Sequence, residues 1–240
     1  MKRKSRAKSP SPFRCFNSSP EVIRLVVMMY VRFPLSLRNV EDLLFERGID
    51  LCHETVRFWW NRFGPMFAGD IRRQRVNAMR GICHWRWHLD EVYVEINGEM
   101  HYLWRAVDHE GEILESFVTR TRDKAAALTF MKRALRRHGS PETITTDGLR
   151  SYRAAMTELG NADKQVIGRW ANNRVENSHL PFRRRERAML RFRQMKTLQK
   201  FASVHANIAN HFNQERHLVS RQHYKLRRSA AMAGWQSLMA

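Results

Sequence analysis

Cysteines, acidic residues and long apolar runs are all scarce in this 240-residue chain, and each shortage excludes a class of protein. The three cysteines, Cys15, Cys52 and Cys83, cannot all pair with one another and show no C-x-x-C spacing. That argues against a disulfide framework and a standard zinc finger, and leaves ordinary reduced thiols. The longest apolar run, Leu25 to Val31, lies between Arg24 and Arg32 and falls far short of the roughly 20 residues that span a bilayer. Met1 to Arg14 is basic and rich in serine and proline, but no apolar stretch with a small-residue cleavage site follows it as a secretory signal requires. These features predict a cytoplasmic protein with no membrane partner and a disordered basic start over residues 1–18. No internal repeat is evident.

Acidic residues number 23 against 43 Lys and Arg, a formal charge of +20. An excess of this size raises a potential of several kT and selects polyanions as partners. Nucleic acid fits better than an acidic membrane. The basic residues recur from the amino terminus through Arg183, Arg184 and Arg185 to Arg227 and Arg228, and do not line one face of an amphipathic helix. Trp59, Trp60, Trp170 and Phe192 each lie within two residues of an arginine, a pattern that serves base stacking as well as packing.

Three helices open the chain. Ser19-Pro20-Glu21 supplies an N-cap, a first-turn proline and a first-turn acid, followed by Val22, Ile23, Val26, Val27 and Tyr30 at helical spacing. Ser36 caps a second helix carrying Leu37, Val40, Leu43 and Leu44, and Gly48 ends it. A third runs from about His53 to Phe63, where Gly64-Pro65 predicts a stop. The pair joined by the Gly48 turn makes a helix-turn-helix over residues 19–69, with Arg57, Asn61 and Arg62 outward on the reading helix. A basic linker, 70–84, follows.

The period then changes. Trp85 to Ile96 is aromatic and β-branched, Asn97-Gly98 marks a two-residue hairpin, and strands follow at Met100–Val107 and Ile113–Thr119. Next come a helix from Asp123 to Arg137, a strand at Thr143–Thr146, a helix from about Leu149 to Leu159, a short strand at Lys164–Ile167, and helices onward. This order builds an antiparallel meander extended by parallel crossovers, an α/β mixed sheet with flanking helices. Apolar residues change phase within the first strand, Trp87 and Leu89 being odd and Val92, Val94 and Ile96 even, which fits either a bulge or burial on both faces. Leu198, Phe201, Val204, Ile208 and Phe212 form one stripe of a helix near 195–216, able to pack on its own domain or to pair subunits.

Three acids fall where an active site can form. Asp90 lies mid-strand, where an ionised carboxylate is costly to bury uncompensated. Asp147 ends the fourth strand, the edge at which open α/β sheets place ligands. Glu176 begins the following helix. Neighbouring strands lie about 4.8 Å apart, so Asp90 and Asp147 converge if the first and fourth strands pair. Hard oxygen donors without histidine or cysteine select Mg²⁺ or Mn²⁺, and two such ions support in-line phosphoryl displacement. Asp147 can equally act only as a cap for the next helix. Glu91 alternates to the opposite face from Asp90, so only one of the two is expected to face the site.

His88-Leu89-Asp90-Glu91-Val92-Tyr93-Val94, Tyr102-Leu103-Trp104-Arg105-Ala106-Val107-Asp108, Thr146-Asp147-Gly148 and Asn172-Asn173-Arg174-Val175-Glu176 together resemble the DDE transposases of bacterial insertion sequences, nearest to family six. The resemblance runs from about Ser19 over nearly the whole chain. It implies a ribonuclease H-like core, here 85–195, followed by a C-terminal helical segment, 196–240. It also implies a triad of Asp90, Asp147 and Glu176 that holds two Mg²⁺ or Mn²⁺ ions. The implied chemistry is strand transfer at element ends by a 3′-hydroxyl, in a multimer on DNA that pairs terminal inverted repeats and joins them to target DNA as a cointegrate. Arg183, seven residues past Glu176, occupies the family's basic position, and Arg184 and Arg185 are expected to share in gripping phosphate. Two features depart from the family: Pro181 is expected to kink or split the helix, and the Asp147–Glu176 interval is short, through either a trimmed loop or a deleted strand. A DNA-binding relic without catalysis and a ribonuclease H-like nuclease are the alternative functions.

Overall fold

Ser19 starts the first helix as its chemistry requires. Its hydroxyl accepts from the Val22 amide, Pro20 occupies the first turn, and α1 runs Pro20–Arg32. This computed structural model describes residues 11–78, 85–168, 171–189, 191–213 and 219–239, so Cys83, Trp170 and most of the expected linker's end lie outside the described residues. Ser36 and Asn39 form a reciprocal capping box at the head of α2, Leu37–Phe45, and Gly48 leaves it at φ 74°.

The third helix departs from expectation. α3 spans His53–Ala78 without stopping at Gly64-Pro65. Proline lacks the amide that would serve the carbonyl four residues earlier, and that carbonyl, of Asn61, accepts instead from Lys200 Nζ at 2.9 Å. The partner is 139 residues away, which is why local propensity alone points to a break. The start of the chain differs too. Within the segment expected to be disordered, Phe13 is buried and stacks on Phe63 at 5.1 Å, and Phe16 meets Phe63 edge-on.

Five strands form one sheet in the order β3-β2-β1-β4-β5: β1 Arg86–Ile96, β2 Glu99–Asp108, β3 Ile113–Thr119, β4 Thr143–Thr146 and β5 Gln165–Ile167. The first three are antiparallel, joined between β1 and β2 by Asn97 and Gly98 at φ 53° and 84°. β4 pairs parallel to β1, and β5 parallel to β4. Three antiparallel strands extended by parallel crossovers are the ribonuclease H-like arrangement. Because β5 is present beyond a short turn at Ala162–Lys164, the brief Asp147–Glu176 interval reflects a trimmed loop.

Both faces of the sheet are covered, which explains the change of apolar phase: β1 and β2 pair in unbroken register, and β1 is buried on two sides. Trp87 and Leu89 pack with Trp104, Phe130 and Tyr152 beneath α4, Lys124–His138, and α5, Arg150–Glu158. Val94 and Ile96 join the larger core made with α1 to α3 and α7, Met195–His211. The α7 stripe Leu198, Phe201, Val204 and Ile208 is buried there, so it packs within its own chain. α6 runs unbroken through Pro181, Asn173–Ala188. α8, Arg221–Gln236, ends with Trp235 buried and donating to the Arg24 carbonyl. Among the described residues no helix is long and apolar enough to cross a membrane.

Candidate active site

β4 is short, and this shapes the rim where the acids meet. Its register with β1 covers only Arg86 to His88, so beyond Leu89 the edge of β1 has no strand beside it. Asp147 follows directly on β4 and comes level with this open edge. Its Oδ1 accepts from the Leu149 amide at 3.0 Å, which holds the turn, while Gly148 takes φ 86°. Asp90, Glu91 and Asp147 consequently gather, with one ligand oxygen from each within 4.8 Å of the others. Asp90 and Glu91 do leave opposite faces of β1, as alternation demands. Both nevertheless reach Asp147, because no neighbouring strand separates the faces there. The expectation that only one of them can face the site is therefore corrected.

The cluster is electrostatically loaded. Burial, reinforced by the Asp147 charge, pushes the Asp90 carboxyl up to about 6. Burial likewise pushes Glu91 up to about 7. Tyr152 lies beneath Glu91, and burial raises its phenol well above the ordinary value. Arg122, on the loop between β3 and α4, donates from Nε to Glu91 at 2.5 Å and also pairs with it through Nη2. The same Nη2 lies 3.8 Å from Asp147 Oδ2. Three convergent hard carboxylate oxygens, two of which already draw in a guanidinium, fit a divalent Mg²⁺ or Mn²⁺ ion.

α6 lies across the same rim. Asn172 donates to the Leu89 carbonyl at 2.9 Å, and His179 Nε2 lies 3.2 Å from Asp90 Oδ2. Burial keeps His179 neutral by driving its pKa far down, so an ionised Asp90 requires the proton on Nε2. Arg105, fully buried on β2 opposite Asp90, donates to the Ser178 carbonyl at 2.5 Å, beside the carbonyl that Pro181 deprives of its helical partner.

Glu176 sits on the first turn of α6 between these two anchors, exposed, and is not among the three clustered acids. The expected DNA contacts lie elsewhere. Arg57 is exposed and paired with Glu54, and Arg62 lies over the Phe16 ring. Asn61 is engaged internally, donating to the Arg57 carbonyl and accepting from Lys200. Arg183 donates to Glu186 and to the Tyr93 carbonyl, and Arg184 is exposed. Arg185 departs from its expected role. It is fully buried, donates to the Leu35 carbonyl at 2.8 Å and lies over the Tyr30 ring. It is three residues past Phe182, on the inward face of α6, so it ties α6 to the amino-terminal helices and does not meet phosphate.

A family model described as a DDE domain matches residues 84–215, more than half the chain. This chain belongs to the DDE transposases of bacterial insertion sequences. The transposase is 31% identical over 172 residues to the "Transposase for insertion sequence-like element IS431mec" of Staphylococcus aureus (strain N315), covering 70% of this chain and 75% of that protein. It is 30% identical over 172 residues to the transposase for element IS257 in transposon Tn4003 of Staphylococcus aureus, with the same coverage, which places it with family six. Among solved structures, the Mos1 transposase catalytic domain with raltegravir and Mg aligns at TM-score 0.37 and 13% identity, over 73% of this chain and 96% of that one. The sequence set Glu91 on the face opposite Asp90 and gave no role to Arg122 or His179 in this transposase. Of these two, only His179 carried a signal, lying one helical turn after Glu176.

Proposed function

We propose that this transposase cuts and joins DNA at the ends of an insertion sequence by divalent-ion-dependent phosphoryl transfer, with cointegrate formation as the outcome. The observation that supports it most is the meeting of Asp90, Glu91 and Asp147 at the open edge of β1. Two Mg²⁺ or Mn²⁺ ions held there would activate the attacking 3′-hydroxyl and stabilise the leaving oxygen. Asp90 and Asp147, with Glu91 beside them, would supply ligands from the sheet, and Glu176 would complete the shell from α6. His179 and Asn172 hold α6 against β1, so that Glu176 has a fixed base from which to reach the rim. No side-chain nucleophile is needed. Arg57 and Arg62 face the terminal repeat from α3, with Asn61 between them, and Arg184, with Arg183 beside it, meets the backbone from α6. The active form is at least a dimer on DNA, bringing two ends and a target together.

Labelled terminal-repeat DNA incubated with a plasmid target in Mg²⁺ tests this. Joined product supports transposition, cut product alone points to a nuclease, and binding without product points to a regulator. Alanine at Asp90, Asp147 or Glu176 is expected to abolish joining while leaving end binding intact. Strand transfer retained by Asp147→Ala would reject the assignment.

A further inference from the structure

Arg122 makes the contacts that an ion would otherwise make. Its guanidinium pairs with Glu91 and lies 3.8 Å from Asp147 Oδ2, so it touches two of the three clustered acids. The loop that carries it is fixed on both sides. Thr119 Oγ1 donates to the Thr121 carbonyl at 2.7 Å, and Asp123 caps α4 by accepting from the Ala126 amide at 2.8 Å. The backbone is therefore anchored while the side chain, 42% exposed, has solvent beside it into which it can turn. Glu91 has no such freedom: its side chain is 2% exposed, so a cation that pairs with it must come to it where it stands. A guanidinium stays protonated under all working conditions, so a divalent ion arriving at the cluster competes with it for the same carboxylate oxygens.

We propose that Arg122 is a resident counter-ion of the carboxylate cluster, which a divalent ion displaces so that the guanidinium then grips the DNA backbone. The inference rests on the metal-binding reading above. Arg122 stands beside Asp147 at the exposed rim, and a released guanidinium there is suited to bidentate contact with a phosphate. Loading of the ion and grip on DNA are thereby linked. Each strengthens the other, since both draw on the same exchange.

Mn²⁺ binding to the full-length protein, read by electron paramagnetic resonance, provides the test, with folding checked by circular dichroism. Arg122→Gln removes a positive charge from the ion's position and is expected to tighten Mn²⁺ by about tenfold, with Arg122→Lys staying near the parent. The salt dependence of DNA binding gives the second readout. Arg122→Gln should lower the slope of log affinity against log salt by about 0.9 with Mn²⁺ present and leave it unchanged without the ion. Equal Mn²⁺ affinity in the parent and Arg122→Gln overturns the inference, as does a slope lowered equally with and without the ion. Asp147→Asn separates the two readings. Mn²⁺ binding lost in Asp147→Asn but unaltered by Arg122→Gln refutes the counter-ion alone, whereas no Mn²⁺ binding to the parent removes both.

Discussion

Replacing Asp90 with asparagine should stabilise the ion-free transposase, and by an amount that depends on pH in a defined direction. Asparagine keeps the shape of the side chain and an oxygen for His179 Nε2 to donate to, but it removes the charge. In the folded state burial and the Asp147 charge lift the Asp90 carboxyl from 3.8 to about 6. That rise corresponds to ~3 kcal/mol. The folded chain holds the proton more tightly than the unfolded one, so stability of the parent falls as pH rises between these two values. Below about pH 4 both states are protonated and the advantage of asparagine vanishes. Between pH 4 and 6 it grows, and above 6 it is complete. In a chain of this size ~3 kcal/mol corresponds to a melting shift of roughly 6–12 °C. Urea unfolding at pH 8, 6 and 4 in EDTA measures it directly. Saturating Mg²⁺ should narrow the gap at pH 8, because the ion binds the folded parent and stabilises it by ~2.7 kcal/mol at a hundred times Kd. A variant no more stable than the parent at pH 8, or equally shifted at pH 8 and pH 4, would refute the account of a strained, ion-seeking carboxylate.

Arg185→Ala is expected to destabilise the fold by about 3 kcal/mol or more, because it leaves the Leu35 carbonyl without its donor and opens a cavity among Tyr30 and Phe201. Arg184→Ala should leave unfolding unchanged and reduce the salt slope of DNA binding by about 0.9; comparing the two variants in both assays tests the division of roles. Gly148→Ala should cost about 1–2 kcal/mol in urea unfolding and slow strand transfer, since φ is 86° and a new Cβ would stand 3.3 Å from Ile167 Cγ2. Lys200→Met removes the donor to the carbonyl that Pro65 frees, at a cost of about 1–3 kcal/mol, and pairing it with Pro65→Ala should recover most of that loss by restoring the helical amide.

Features decided by neighbours in sequence were legible, and those decided by distant contacts were not. Ser19, Ser36 and Asp123 cap helices through amides three residues away, and Asn97-Gly98 closes its hairpin locally, so the elements could be read directly. The continuity of α3 depends on Lys200, and that of α6 through Pro181 accompanies a contact from Arg105. Neither partner is visible from the surrounding residues. Asp90 and Asp147 were legible as strand-borne acids, and their meeting hung on the pairing of β1 with β4, which the structure supplies. The access of Glu91 was not legible, since it depends on where β4 stops. The arginine run at 183–185 looks uniformly polar, yet a helix turns its third member inward beside Phe182.

The unbroken α3 has a mechanical consequence. A helix of 26 residues measures about 39 Å from end to end, and its inner half is clamped by Phe63, Phe67 and Ile71 into the core that also holds Val94 and Ile96 of the catalytic sheet. On the proposed reading, the helices that face DNA and the sheet that carries the acids are thus joined by a continuous rod with little hinge to absorb error. On that reading the rod would work as a ruler, its length setting the span between the bases recognised and the phosphodiester broken. Adding one residue within it would advance the reading end by about 1.5 Å and turn it by about 100°. Registration of the cut at the element's tip would then be lost before any catalytic group had been touched.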